Sequence, residues 1–203
     1  MSRYTQRMPI SRLAAAAAIV TFASIAAPQA SPNQGPQKPD FQVQIWGDAA
    51  VIFVARMNAY AELRGKLEQG LKALAVTEKP VVILQAETAL AARIRVARAK
   101  AKRGDIFSQR VRRGFRAALR AESDAGTCAA IRDDNPGDFD YLINGTYPKF
   151  EPLSTVPPNM LAALPELPAD VHYRFLGRDL VLHDTRANII LDEIDDAIRC
   201  FAR

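Results

Sequence analysis

The hydrophobic positions between residues 48 and 119 recur at steps of three and four, which predicts three amphipathic helices. The first begins at Asp48, a suitable N-cap, and buries a stripe made of Phe53, Met57, Tyr60, Leu63, Leu67, Leu71 and Leu74. The second begins at Pro80 and ends at Gly104, with the stripe Ile83, Ala86, Leu90, Ile94, Ala97 and Ala101. The third is capped by Ser108 and carries Val111, Phe115 and Leu119. Since only residues 76–79 separate the first two helices, they are expected to form an antiparallel hairpin.

The period changes to two after residue 170, which predicts a β-hairpin followed by a third strand. With Gly177-Arg178 as a two-residue turn, the facing pairs are Phe175 with Leu180, Tyr173 with Leu182, and His172 with His183. Ile189 and Leu191 extend the same apolar face into the third strand, and this face is expected to pack on the helices.

Together these elements predict an α+β fold in a single domain over residues 41–203. Its parts are an N-terminal helical hairpin plus a third helix over 41–125, a proline-rich connection over 126–168, and a C-terminal three-stranded antiparallel β-meander with a C-terminal helix over 169–203. The connection is expected to be irregular, apart from a short helix near Pro158 to Leu164.

Residues 1–27 have the features of a cleavable signal peptide. A positive start at Arg3, Arg7 and Arg12 precedes a small-and-apolar run from Leu13 to Ala27, and Pro28 follows. Since a bilayer span needs roughly 20 apolar residues, a retained membrane anchor is the less favoured alternative. Residues 28–40 are rich in proline and predict a flexible tether. The mature protein is therefore expected to be periplasmic or secreted, and not membrane-spanning.

Positive charge is concentrated in the predicted second and third helices. Loss of the signal peptide would reduce the formal net charge of +5 to +2, because three arginines and no acidic residue leave with it. The candidate patch for an anionic partner consists of Arg93, Arg98, Arg103, Arg110, Arg113, Arg116 and Arg120. For an exported protein this predicts anionic head groups or an acidic protein as partner, and no nucleic acid. The alternative is a set of solvated helix ends, partly balanced by the acidic residues of 192–196.

Cys128 and Cys200 are the two cysteines of the chain. In an oxidising compartment a lone pair is most simply a disulfide, here closing a loop of about 70 residues. Neither cysteine lies in a C-x-x-C motif or beside a histidine, so a catalytic or metal-bound thiol is the less favoured alternative.

The two histidines offer the sharpest candidate for metal chemistry. The hairpin register puts His172 and His183 on one face of adjacent strands, where they could share a zinc, nickel or copper ion. Two ligands are too few for a site, and two solvent-exposed histidines on the wet face of the sheet are the ordinary alternative.

Motifs of the common enzyme classes are missing from the sequence. It contains no G-x-S-x-G, H-E-x-x-H, P-loop or G-x-G-x-x-G. Paired carboxylates could act on a glycan, although any acidic domain offers such pairs. The sequence therefore favours a non-enzymatic protein without a cofactor.

Several segments resemble the C-terminal part of small exported bacterial proteins of unknown function. They are NGTYP at 144–148, LPELPADVHYRFLGRDLVLHDTRANIILDEI at 164–194, and RGDIF at 103–107. The hairpin YRFLGRDLVLHD is also similar to that of periplasmic nickel and cobalt homeostasis proteins. The first resemblance implies export but no activity, and the second keeps metal binding open.

Three functions are thus predicted in order. The first is an exported accessory protein of the cell envelope that binds a protein or an anionic surface through the basic helices. The second is a periplasmic metal-binding or metal-tolerance protein that uses His172 and His183. The third is an envelope glycan or peptide hydrolase.

Overall fold

The computed structural model describes residues 41–71, 79–148 and 151–201, which form an α+β fold with a three-stranded sheet. The helices are α1 (Phe41–Glu68), α2 (Pro80–Ala97), α3 (Gln109–Ala121), α4 (Ala125–Asp134) and α5 (Pro158–Ala163). The strands are β1 (Val171–Leu176), β2 (Asp179–Asp184) and β3 (Ile189–Ile194), in the order β1-β2-β3. The predicted fold class is confirmed, whereas the predicted signal peptide and tether lie outside the described residues.

The main core lies between the helices and one face of the sheet. Phe53 of α1 packs within 5.0 Å of Phe115 on α3 and within 5.5 Å of Phe107, as measured between ring centroids. Tyr173 of β1 approaches the Phe115 ring to 5.7 Å. Phe53, Phe107 and Phe115 are fully buried. Together with Tyr173, they pack the N-terminal helices against the C-terminal sheet.

The predicted helical stripes are only partly confirmed. On α3, Val111, Phe115 and Leu119 are all buried as expected. On α2, burial is restricted to Leu90, Ala91 and Ile94, and Ile83 is exposed.

Two helix boundaries also differ from the prediction. Residues 41–68 are helical, but Gly47 has φ 38° and interrupts the helix, so the predicted start at Asp48 marks the second part of α1. The second helix ends at Ala97 rather than at Gly104, because Arg98 leaves the helical conformation and binds elsewhere in the fold.

The connection is less irregular than predicted. Residues 125–134 form α4, whose first turn is capped by the Asp124 side chain accepting the Thr127 N–H at 2.7 Å. The predicted short helix is confirmed as α5.

The predicted C-terminal helix is wrong for the described residues through 201. This segment turns at Asp196, which has φ 47°, and the main-chain N–H groups of Ala197 and Ile198 donate to the carbonyl of Arg178 instead of to a helical turn. Cys200 forms a disulfide with Cys128 of α4, so the tail is tied to the helical layer.

The hairpin register is confirmed in full, including His172 opposite His183. The tight turn depends on Gly177, which has φ 56°, and a Cβ at this position would overlap the Asp138 carboxylate. Asn135 binds both the N–H and the carbonyl of Gly177, at 2.9 and 2.8 Å. The segment after α4 therefore covers the end of the hairpin.

The second face of the sheet is covered rather than wet. Leu176, Val181 and Ile190 form a small core with Tyr147, and Phe139, Tyr141 and Ile143 pack against it. The strands are therefore buried on both faces over much of their length, which explains why β3 has no exposed residue.

Candidate functional site

His172 and His183 are cross-strand neighbours as predicted, but they have different surroundings. His172 is exposed, whereas only 2% of the His183 surface is accessible. The His183 ring stacks on Tyr147 with 4.5 Å between centroids, and its Nε2 lies 2.9 Å from Asn188 Oδ1. The alternative in which both histidines are exposed on a wet face is therefore wrong for His183.

Burial lowers the pKa of His183 to about 4, since the charged ring would lose its hydration. The pKa of His172 is also lowered, mainly by partial burial. The Nδ1 atom of His183 is buried and has no hydrogen-bond partner within the residues that the structure covers.

The stability of the fold is expected to fall between pH 8 and pH 5 because of His183. The unfolded chain takes up a proton near pH 6.5 and the folded chain only near 4, so stability is complete above 6.5 and decreases as the pH falls toward 4. At 1.4 kcal/mol per pKa unit, the loss by pH 5 is about 2 kcal/mol. Urea unfolding at both pH values measures it.

His183→Gln retains a donor for Asn188 but does not titrate, so this variant is expected to lose most of that pH-dependent component. His172→Gln is the matched control and should retain it, because His172 is exposed. An unchanged pH dependence in the His183 variant would show that the buried ring is not responsible.

The structure brings no further metal ligand to the histidine pair. Across 41–71, 79–148 and 151–201 there is no group of three or more His, Cys, Asp or Glu side chains that could hold a metal ion. Two carboxylates of β2 and β3 have ligand chemistry, but Asp184 accepts from Tyr60 and Arg64, and Glu193 pairs with Arg103. Metal binding by His172 and His183 therefore stays a prediction with two ligands.

Most of the arginines in the predicted patch connect parts of the fold. Five of the seven have intramolecular acceptors: Arg93 binds the carbonyls of Leu67 and Gln69, Arg98 binds Asn144 and Leu191, Arg103 pairs with Glu193, Arg110 with Asp48, and Arg116 with Asp195. Arg113 and Arg120 are exposed on α3 and have no ion-pair partner among the described residues. The surface available to an anion is therefore smaller than the sequence predicts.

Arg98 shows why these arginines matter to the fold. Its guanidinium group donates to Asn144 Oδ1 at 3.0 Å and to the Leu191 carbonyl at 2.9 Å, and it lies 5.4 Å from the Tyr60 ring centroid. Burial lowers the pKa of Arg98. One side chain thus joins α1, the 139–147 segment and β3, which a compact ammonium group could not do.

Asp184 is the centre of a buried polar cluster between β2 and α1. Its Oδ2 accepts the Tyr60 hydroxyl at 2.5 Å and an Arg64 N–H at 3.2 Å, and its Oδ1 accepts the N–H groups of Arg186 and Ala187. Burial, followed by the Asp184 charge, raises the pKa of Tyr60 well above its usual range. The phenol therefore remains protonated and serves as a donor to the carboxylate.

Asp192 and Glu193, adjacent on β3, serve two different contacts. Asp192 is fully buried and accepts main-chain N–H bonds from the 103–107 segment. Glu193 is nearly buried, pairs with Arg103, and has a pKa raised by burial. Tyr141 donates to Asp179 at 2.9 Å beside this pair. Half of the predicted acidic cluster is thus internal, whereas Asp195 and Asp196 remain partly exposed.

The start of α2 has an exposed apolar surface that the three-and-four spacing does not predict. The first ten residues of α2, 80–89, contain no buried residue, and Val81, Val82, Ile83 and Leu84 are 38–58% exposed. The signal in the sequence was the unbroken apolar run after Pro80, which does not alternate with polar residues as a core-facing stripe should. We refer to residues 81–84 as the α2 tip.

None of the described helices is long and apolar enough to cross a membrane. The chain matches no family model, and no curated protein or solved structure is significantly similar to it.

Proposed function

We propose that this chain is an exported accessory protein of the cell envelope that attaches to a phospholipid surface through the α2 tip. The single observation that supports this attachment is the exposure of four consecutive apolar side chains, whose contact with water is unfavourable. The proposal retains the predicted partner class of an envelope surface, but it moves the contact from the basic helices to the start of α2.

The tip lies beyond the end of α1. Arg93 of α2 donates to the carbonyls of Leu67 and Gln69 at the end of α1, and Arg98 lies over Tyr60, so the two helices run antiparallel. At 1.5 Å per residue, the start of α2 extends roughly 20 Å past the level of Arg93. This geometry leaves the tip available to a surface while the remainder of the domain stays in water.

The distribution of exposed side chains favours lipid over a protein groove. Successive helical residues are about 100° apart, so the four side chains of the tip point in all directions around the helix axis. A protein groove covers one stripe of a helix, whereas acyl chains surround an inserted tip on every side. The tip also lacks acidic residues, which anionic head groups would repel.

Ile83→Glu/Leu84→Glu is expected to reduce binding to phosphatidylglycerol-containing vesicles at least tenfold, because two charges would enter the acyl region. The substitutions should not weaken the helix, since glutamate is a good helix former and negative charge near the N-terminal end is favoured by the helix dipole. Sedimentation with vesicles measures the bound fraction.

Val51→Glu/Val54→Glu is the matched control: it changes two exposed apolar residues of α1 and should leave vesicle binding unchanged. Two results would contradict the α2 tip as the membrane contact and favour the exposed arginines: equal vesicle binding by both double variants, or loss of wild-type binding in high salt. Self-association without vesicles that the tip variant abolishes would identify a second copy of the chain as the occupant instead.

A further inference from the structure

The outer edge of β1 has one open position, at Tyr173. Val171 donates its N–H to the Pro168 carbonyl, and Phe175 exchanges both main-chain bonds with the Ser154 hydroxyl at 2.8 and 2.5 Å. Because alternate residues of an edge strand direct their polar groups to the same side, the N–H and carbonyl of Tyr173 point outward between these two contacts. No main-chain segment of the described chain pairs with Tyr173 on this side.

A groove of about 740 Å³ adjoins this open position. Its lining includes Val171 and Tyr173, which face the main core, together with His172 and Arg174, which face the other side of the sheet. A cavity that contacts both sets of side chains lies beside the strand edge rather than over one face. The remaining walls are formed by Ala130, by residues 155–158, and by Leu161 of α5 with the segment 164–167.

Proline explains why the chain does not close this edge itself. After Ser154, the Thr155 N–H binds Asp134, and Pro157 and Pro158 have no N–H, so Val156 has the one other main-chain donor between 155 and 158. Pro165 on the other wall cannot donate either. The groove therefore has apolar walls and an unpaired peptide unit at its base.

We propose that the groove beside Tyr173 binds an extended peptide segment of a partner protein. An N–H and a carbonyl directed outward from one residue match the carbonyl and N–H of another extended backbone, as in strand addition to a sheet edge. The main-chain groups of Val171 and Phe175 on this edge are already hydrogen-bonded to Pro168 and Ser154. The contact is therefore limited to a single residue pair, and the groove accepts a short segment rather than a long strand.

The side chains around the edge define the peptide. The peptide residue opposite Tyr173 points toward the same side as Tyr173, where Leu161 and Leu164 form an apolar wall, so this residue is apolar. The next residue lies beside Arg174, whose Nε is buried without a hydrogen-bond partner although its Nη1 donates to the Ser154 carbonyl. An acidic residue at this position would pair with the guanidinium group.

The test uses the full chain and the capped pentapeptide Ac-Thr-Glu-Val-Glu-Thr-NH2, which binds antiparallel to β1, because only this orientation lets one valine exchange both main-chain bonds with Tyr173 while a glutamate lies beside Arg174. Binding is expected to slow hydrogen exchange of the Tyr173 amide more than that of Arg174, which is already paired within the sheet. N-methylation of the central valine removes its N–H, and lysine in place of both glutamates reverses the charge. Each change should weaken binding about tenfold.

Leu161→Glu places a charge on the apolar wall and should weaken the same peptide about tenfold. Leu153→Glu is the matched control, since Leu153 is similarly exposed but does not line the groove. No change at the Tyr173 amide with millimolar peptide, or equal binding of the N-methylated peptide, would overturn the proposal. Neither result depends on vesicles, so the peptide site and the lipid surface can fail separately.

Discussion

Replacing Asp192 by alanine is expected to lower the free energy of unfolding by about 3–5 kcal/mol. The carboxylate is fully buried and accepts four main-chain N–H bonds, at 2.7–2.9 Å, from Gly104, Ile106, Phe107 and its neighbour Glu193. Alanine would leave these donors without an acceptor, and all of them except that of the partly exposed Gly104 belong to buried residues. Each buried, unpaired N–H costs about 1–3 kcal/mol, and partial rearrangement of the loop reduces the sum.

Asp195→Ala is the control for a neighbouring carboxylate. Asp195 pairs with Arg112 and Arg116, but its side chain is 47% exposed, so its loss should cost no more than about 1 kcal/mol. Asp192→Asn retains one acceptor oxygen and should fall between the two. Urea unfolding gives all three values. Similar destabilisation by Asp192→Ala and Asp195→Ala would mean that water or loop movement satisfies the N–H groups.

Asp192 also shows where sequence reasoning stopped. The RGDIF segment and the acidic residues of 192–196 are separate features of the sequence, because the contact between them spans more than 80 residues of chain. Loop N–H groups leave no mark in the amino-acid pattern. The register of the β1–β2 hairpin was predictable, since it follows from a local alternation and from a two-residue turn that Gly177 makes possible. The β2–β3 register contains a shift at Leu182 and His183 that this pattern does not predict.

The covered second face of the sheet could have been predicted in part. Val181 and Ile190 are apolar residues at positions expected on the wet face, and five aromatic or apolar residues occur between 139 and 147. A wet face would not favour that combination. What the sequence does not contain is the pairing itself: the Asn144 N–H donates to the Ile190 carbonyl, and this bond places the segment over the sheet.

Helix α4 was missed for a different reason. The sequence predicts that the helical part ends at residue 125, whereas Gly126 lies in the first turn of a new helix whose N-cap is Asp124. The pair of Asp124 with Thr127 three residues later was a usable signal, because an N-cap side chain accepts an N–H from this position. Because the sequence analysis did not predict α4, Cys128, one of the two disulfide cysteines, was placed in an irregular segment.

Removing the disulfide with Cys128→Ser/Cys200→Ser is expected to lower the free energy of unfolding by about 4 kcal/mol. The two residues are 72 positions apart, and a cross-link over this distance restricts the unfolded chain by that amount in the loop-entropy model. The serine hydroxyls should add a smaller cost, since Cys200 is buried. Urea unfolding of the oxidised wild type and the double variant measures the difference, and reduced wild type serves as the control without a change of sequence.

The disulfide effect should arise in the unfolded state, because the C-terminal tail has other attachments in the folded one. Ala197 and Ile198 are fully buried and donate to the Arg178 carbonyl, and Arg132 of α4 donates to the Cys200 carbonyl at 3.0 Å. Hydrogen exchange at Ile198 in the double variant should therefore follow global unfolding and not a separate opening. Rapid exchange at Ile198 alone would show that the disulfide itself holds the C-terminal tail in place. The loss of stability in the double variant would then be local. It would be smaller than about 4 kcal/mol and would not depend on the length of the closed loop.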